Sequence, residues 1–171
     1  MVVKTAKKYI GYLEHWNDDL IGVFGANVGK GGHTIFAHRI RRAYRWRNFN
    51  GVPWCATFVH SVFLEALGKQ RARELLGKPH PGTRVLLKRF RRRRLLTNQP
   101  CQGDIIFLTN GSGWVDHCGI VVEVEPDRVI TIEGTTTDLT GTFQPHEGGA
   151  VAQRVRRLDD PAILCYGGVD R

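Results

Sequence analysis

The chain lacks any apolar run near the roughly 18–20 residues that a bilayer-spanning helix requires. Cysteine is scarce: Cys55, Cys101, Cys118 and Cys165 are widely spaced, and no C-x-x-C pair occurs. That density excludes a disulfide-scaffolded domain. No two Cys or His residues have the spacing of a zinc finger or an H-E-x-x-H helix, so no metal and no cofactor is expected. An uninterrupted signal-peptide core is also missing, because Lys4, Lys7, Lys8 and Glu14 break up the apolar residues between Met1 and Trp16. The expectation is synthesis in a cytoplasm, with any action outside the cell depending on another route of release. Acidic residues are short as well, 16 against 25 Lys plus Arg, for a formal charge of +9.

The 171 residues, 42% hydrophobic and 24% charged, suit one domain with a core of its own. The positive excess favours polyanions, whether nucleic acid, anionic lipid or wall polymer, and does not choose among them.

Val2, Val3, Ala6, Ile10 and Leu13 recur at helical steps and predict an amphipathic N-terminal helix. From Asn17 to Gly51 the periodicity is lost. The glycines between 22 and 32 predict a loop, but Gly25 to Gly31 is one residue short of a phosphate loop and lacks its Ser or Thr. The clearest helix enters at Pro53. Cys55, Phe58, Val59, Val62, Phe63, Ala66 and Leu67 form its apolar stripe, and Gly68 suits its C-terminal cap. Shorter helices are predicted over 71–76 and 85–90. The last third changes period, with strands predicted over 104–109, 117–125, 128–133, 150–157 and 162–166. Helices followed by an antiparallel meander predict an α+β fold.

Cys55 falls in the first turn of its helix, where free N–H groups and the helix dipole stabilise a thiolate. Taken alone it reads first as a small buried member of the stripe, and as a nucleophile second. The hairpin adds to it. Cys118, Ile120, Val122 and Val124 alternate on one strand, and Ile130 and Ile132 on the next. For both apolar sets to face the same way, cross-strand partners must both be even-numbered, which requires an odd-length loop or a bulge. That register puts His117 and Glu133 on one face, about one diagonal step apart. A thiol, an imidazole and an orienting carboxylate are the parts of a cysteine hydrolase. The alternatives are a strand-edge histidine satisfied by backbone and a solvated glutamate before a turn.

Pro53-Trp54-Cys55-Ala56-Thr57-Phe58-Val59 resembles the W-C-x-x-F-V signature of CHAP domains, the cysteine- and histidine-dependent amidohydrolases and peptidases. Gly103 to Phe107, His117 to Val121 and Ile130 to Gly134 agree with the same family, in order. Gly11-Tyr12-Leu13-Glu14 is similar to its N-terminal helix, and Cys165 to Gly168 to its closing strand. The resemblance implies a papain-like core, N-terminal helices on a C-terminal antiparallel sheet. It also implies hydrolysis of an amide bond in bacterial peptidoglycan, by muramoyl–alanine amidase or endopeptidase action, as in phage endolysins and autolysins.

Carried over by residue, Cys55 is the nucleophile, His117 the general base and Glu133 its orienting group. Thr135 stands where the family often has Asn, as a fourth site residue or none. The family's calcium-binding members have a carboxylate-rich loop where this chain has Tyr44-Arg45-Trp46-Arg47, so no calcium is expected there. Substrate or wall contacts are assigned to Trp54, Tyr12, Glu14 and Trp114, and to Arg91, Arg92, Arg93 and Arg94 of the basic run. That run reads as a solvated face or as a site for anionic wall polymer or membrane. Nucleic acid is the least favoured partner, since no stacking platform is interleaved with it. The chain is expected to be a single catalytic domain over 1–171, monomeric, without a separate wall-binding domain, acting at the wall after holin-type or lytic release. A papain-like acyltransferase and a non-catalytic basic binding module are the other classes left open.

Overall fold

A computed structural model describes residues 1–15, 19, 31–45, 49–109, 111, 113–136 and 149–169. The Gly25–Lys30 part of the glycine loop and Trp46–Arg47 lie outside the described residues.

Among the described residues, four helices precede a six-stranded sheet. They are α1 (Val2–Lys7), α2 (Ile35–Tyr44), α3 (Cys55–Leu76) and α4 (Thr83–Arg92). The strands are β1 (Leu96–Thr97), β2 (Ile105–Thr109), β3 (Val115–Val124), β4 (Arg128–Thr136), β5 (Ala150–Arg157) and β6 (Ile163–Gly167). Their order across the sheet is β1-β6-β2-β3-β4-β5, with every neighbouring pair antiparallel. The layout is the α+β, papain-like one.

The core lies between the helices and one face of the sheet. Phe36 and Ile40 of α2, Phe58, Val62 and Phe63 of α3, and Leu86 and Phe90 of α4 meet Phe107, Cys118, Ile120, Val122 and Ile132. Each large side chain taken fully out of water contributes about 1.5–3 kcal/mol. The opposite face carries a smaller cluster of Ile106, Leu108, Val121, Val129 and Tyr166. Between β3 and β4, Gly119 opposes Glu133 and Ile120 opposes Ile132, and the register then slips between Val121 and Glu123. This slip is the bulge that lets the even-numbered apolar residues of both strands face the helices.

Three elements depart from the sequence expectation. The N-terminal helix stops at Lys7, not near Leu13. Gly11 has φ +85°, and from there the chain runs beside β5, with Gly11 N–H donating to the Val151 carbonyl and Leu13 bridging Ala150. Gly11 to Glu14, expected to be helical, is therefore extended. Helix α2 occupies part of the predicted loop. Its start is capped by Thr34, whose hydroxyl accepts from Ala37 N–H at 3.1 Å. The predicted stop at Gly68 is a kink: with φ +77° and ψ +168° it interrupts α3, and a second helical stretch follows to Leu76.

Candidate active site

Helix α3 starts at Cys55, with Trp54 as its N-cap residue. Trp54 fixes this end in three ways. Its backbone N–H donates to Thr135 Oγ1 at 2.8 Å, its indole N–H donates to Glu14, and its ring stacks on Phe36 with centroids 5.5 Å apart. The sheet supplies the seat. A Cβ on Gly134 would lie 2.5 Å from the Trp54 ring and 2.9 Å from Phe58 Cβ, so only glycine lets β4 approach this closely. Thr135 adopts φ +56°, which turns its hydroxyl onto the start of the helix.

The Cys55 thiol is 2% exposed, its sulfur lies 3.3 Å from Thr83 Oγ1, and its charge state is set chiefly by Cys118 and His117. Cys118 faces the helices. His117 is one residue earlier, beside the slip in β2–β3 pairing that sets Leu108 against His117 and Thr109 against Val115. The Nε2 atom of His117 lies 2.8 Å from Glu133 Oε2, so Nδ1 is the nitrogen left for the thiol. Gly119 makes room for this contact, since a Cβ there would meet Glu133 Cγ at 2.5 Å.

Glu133 is fully buried and its carboxylate is saturated. Besides His117, it accepts two guanidinium bonds from Arg156, Nε to Oε1 and Nη2 to Oε2, both at 2.8 Å, and a third bond from the Thr131 hydroxyl. Burial opposes its charge, but Arg156 and His117 outweigh burial and hold the carboxyl well below the usual carboxylate range. At His117 burial likewise opposes the charged ring. Hydrogen bonds to Cys55 and Glu133, together with their negative charges, override it and push the imidazole up to about 10. The bond from Cys118 is the largest influence drawing the Cys55 thiol well below its ordinary value. It acts against burial and is joined by His117 and Thr83. These shifts favour a thiolate–imidazolium pair backed by a buried carboxylate.

Cys55 lines an open, mainly apolar groove of about 380 Å³ formed with Val52, Pro53, Pro81, Thr83, Arg84 and Val115, among others. A second hollow of about 290 Å³, on the Trp54 side, is lined by Glu14, Gly32, Gly51 and Thr135, among others.

The other residues singled out from sequence divide into two groups. Trp54 is 1% exposed and packs within the core, at the floor of the second hollow. The Tyr12 hydroxyl accepts from Ile35 N–H at 2.9 Å, and its ring packs edge-on to Phe36. Glu14 serves the indole of Trp54, and Thr135 its backbone, and both line the second hollow with Trp54. Trp114 is 64% exposed beside the groove residue Val115, with the Arg84 guanidinium 5.2 Å from its ring centre. In the basic run, Arg91, Arg92, Arg93 and Arg94 are all exposed. Arg93 also donates to the Leu75 carbonyl, and Arg89 to those of Leu76 and Lys78. Together they satisfy the end of α3. Arg156, Thr131, Thr83 and Cys118 belong to the site and were not anticipated. Only the alternation along 150–157 hinted at Arg156, whose parity relative to Glu133 depends on the pairing of β4 with β5.

A thiol at a helix start, an imidazole on a strand and a buried acid behind it are the arrangement of cysteine- and histidine-dependent hydrolases. A family model for the CHAP domain matches residues 47–135, just over half of the chain and inclusive of Cys55, His117 and Glu133. The chain belongs to the CHAP domain family, whose members are hydrolases of the peptidoglycan amidase or peptidase type. Comparison with curated proteins gives no match.

Proposed function

We propose that this protein hydrolyses an amide bond of bacterial peptidoglycan through a thioacyl-enzyme, with Cys55 as nucleophile, His117 as general acid and base, and Glu133 as the group that orients the ring. The observation that carries the reading is His117 Nε2 held 2.8 Å from the buried Glu133 carboxylate, with His117 among the groups that draw down the thiol at the first residue of α3.

In the proposed cycle the Cys55 thiolate attacks a carbonyl lying in the groove. The N–H groups of the first turn of α3 have no acceptor within the helix, and that of Cys55 points the developing oxyanion toward the positive end of the dipole. His117 protonates the leaving amine, becomes neutral, and draws a proton from the water that releases the acyl group. Glu133 keeps Nδ1 aimed at sulfur throughout. Arg156 and Thr131 keep Glu133 still.

The scissile bond is muramoyl–alanine or an amide within the peptide, and the biological setting is a phage-type lytic enzyme released to the wall from the producing cell. Arg91, Arg92 and Arg94 supply an accessible cationic surface for anionic wall polymer. Purified peptidoglycan incubated with wild type and with Cys55→Ala, followed by mass spectrometry of released fragments, tests the reading and identifies the bond. Fragments from the wild type alone are expected. Equal release by a folded Cys55→Ala variant would refute the nucleophile, whereas release by neither protein would favour a binding module.

A further inference from the structure

The proposed reaction has no need of a second thiol, yet Cys118 is completely buried against Cys55. Thr83 Oγ1 lies between them, 3.3 Å from one sulfur and 3.8 Å from the other. Both cysteines are free. Cys101 is exposed and Cys165 half-buried. Cys55 alone of the two sulfurs lines the open groove, so a small oxidant arriving there meets it first.

We propose that Cys55 and Cys118 form a peroxide-reactive dithiol, in which Cys118 resolves oxidised Cys55 as an intramolecular disulfide.

In the first step the Cys55 thiolate attacks a hydroperoxide. A sulfur–oxygen bond forms, the oxygen–oxygen bond breaks, and the departing oxygen takes the His117 proton and leaves as water or alcohol. In the second step Cys118 sulfur attacks the Cys55 sulfenic acid. The sulfur–sulfur bond forms, the sulfur–oxygen bond breaks, and hydroxide leaves with the Cys118 proton as water. The two thiols lose two electrons and the peroxide gains them.

The electrostatics favour this order. Hydrogen bonding to Cys55, then burial, then the negative charge of Cys55 push the Cys118 thiol well up, so it is a poor nucleophile in the resting state. Conversion of Cys55 to a neutral sulfenic acid removes that charge and frees Cys118 to react. The disulfide would withhold the nucleophile yet spare it from irreversible sulfinic acid, the outcome at a thiolate with no partner.

The effect on activity rests on Cys55 being the nucleophile, whereas the linkage does not, so chemistry and lysis are read separately. Wild type and Cys118→Ser are treated with hydrogen peroxide, blocked with a thiol alkylator and mapped by mass spectrometry, and lysis is measured before and after dithiothreitol relative to each untreated protein. In the wild type the expected result is a linked pair of peptides containing Cys55 and Cys118, reversed by dithiothreitol. In Cys118→Ser, Cys55 gains two or three oxygens, and dithiothreitol recovers about tenfold less activity than in the wild type. Oxygen adducts on Cys55 of the wild type without the linkage, or a linkage through Cys101 or Cys165 instead, would overturn the proposal even if Cys118→Ser failed to fold. A linkage that forms in a wild type inactive on peptidoglycan would leave the dithiol standing and refute the hydrolase reading alone.

Discussion

Replacing Arg156 with Met removes both guanidinium bonds from Glu133 while preserving most of the side-chain volume. The carboxylate remains fully buried, and Thr131 and His117 become its remaining partners. Removing one member of a buried ion pair costs about 3–5 kcal/mol, because the surviving charge is left uncompensated. For a chain of this size each kcal/mol moves the melting temperature by roughly 2–4 °C, so the variant should melt about 6–20 °C lower. The pH dependence adds a second signature. Glu133 has a depressed folded pKa, so its stabilisation is fully present above its unfolded value of about 4.3 and is lost as pH falls through the folded value. Without Arg156 the folded value rises, and the stability curve of the variant should flatten on the acid side. Thermal melts by circular dichroism across acid and neutral pH, with Arg156→Lys as the charged but non-forked control, give both readings. A melting temperature within about 2 °C of wild type at neutral pH would refute the view that Arg156 holds this carboxylate in its ionised form.

The raised His117 value has an alkaline consequence. Its imidazolium contributes stability that is fully present below about 6.5 and is lost as pH rises through about 10. Hydrolysis should therefore hold through neutral pH and fall near 10, while Cys55→Ala, which removes the thiolate, should lower the His117 titration seen by NMR; an unmoved titration would contradict the pairing. Gly134→Ala forces a Cβ into the Trp54 ring and should cost about 1–3 kcal/mol in denaturant unfolding, with an unchanged midpoint counting against the close seat of α3 on β4. Neutralising Arg91, Arg92 and Arg94 together, with Arg93 left on its carbonyl, should reduce retention on cell walls at low salt. The difference should close toward about 1 M salt, and equal retention at low salt would remove the basic run from wall binding.

Much of this architecture was legible because it depends on local parity. Alternation along Cys118 to Val124 and along Ile130 to Ile132 specifies which residues share a face, and the pairing of Gly119 with Glu133 follows once a bulge is allowed. The stripe from Cys55 to Leu67 likewise identifies the helix that bears the thiol. Helix α2 escaped notice because Phe36, Ala37 and Ile40, its buried residues, are interrupted by Arg39 and followed by Arg41 and Arg42, directly after a glycine-rich stretch. The environment of Glu133 was out of reach for another reason. Arg156 stands among Arg154 and Arg157 on a strand that looks solvent-facing, and only the register of β4 with β5 selects it. Trp54 misled in the opposite sense: beside a nucleophile an indole suggests a substrate platform, whereas here it is the wedge between α2 and β4.

The bend at Gly68 divides α3 into two pieces with separate tasks. The inner piece, from Cys55 to Leu67, is clamped by the sheet. The outer piece, from Lys69 to Leu76, is anchored by Arg89 and Arg93 and faces solvent along much of its length. Because the outer piece returns Leu75 and Leu76 to the core and leads into α4, whose first residue Thr83 sits 3.3 Å from the Cys55 sulfur, the direction of the bend helps to decide where one wall of the groove stands.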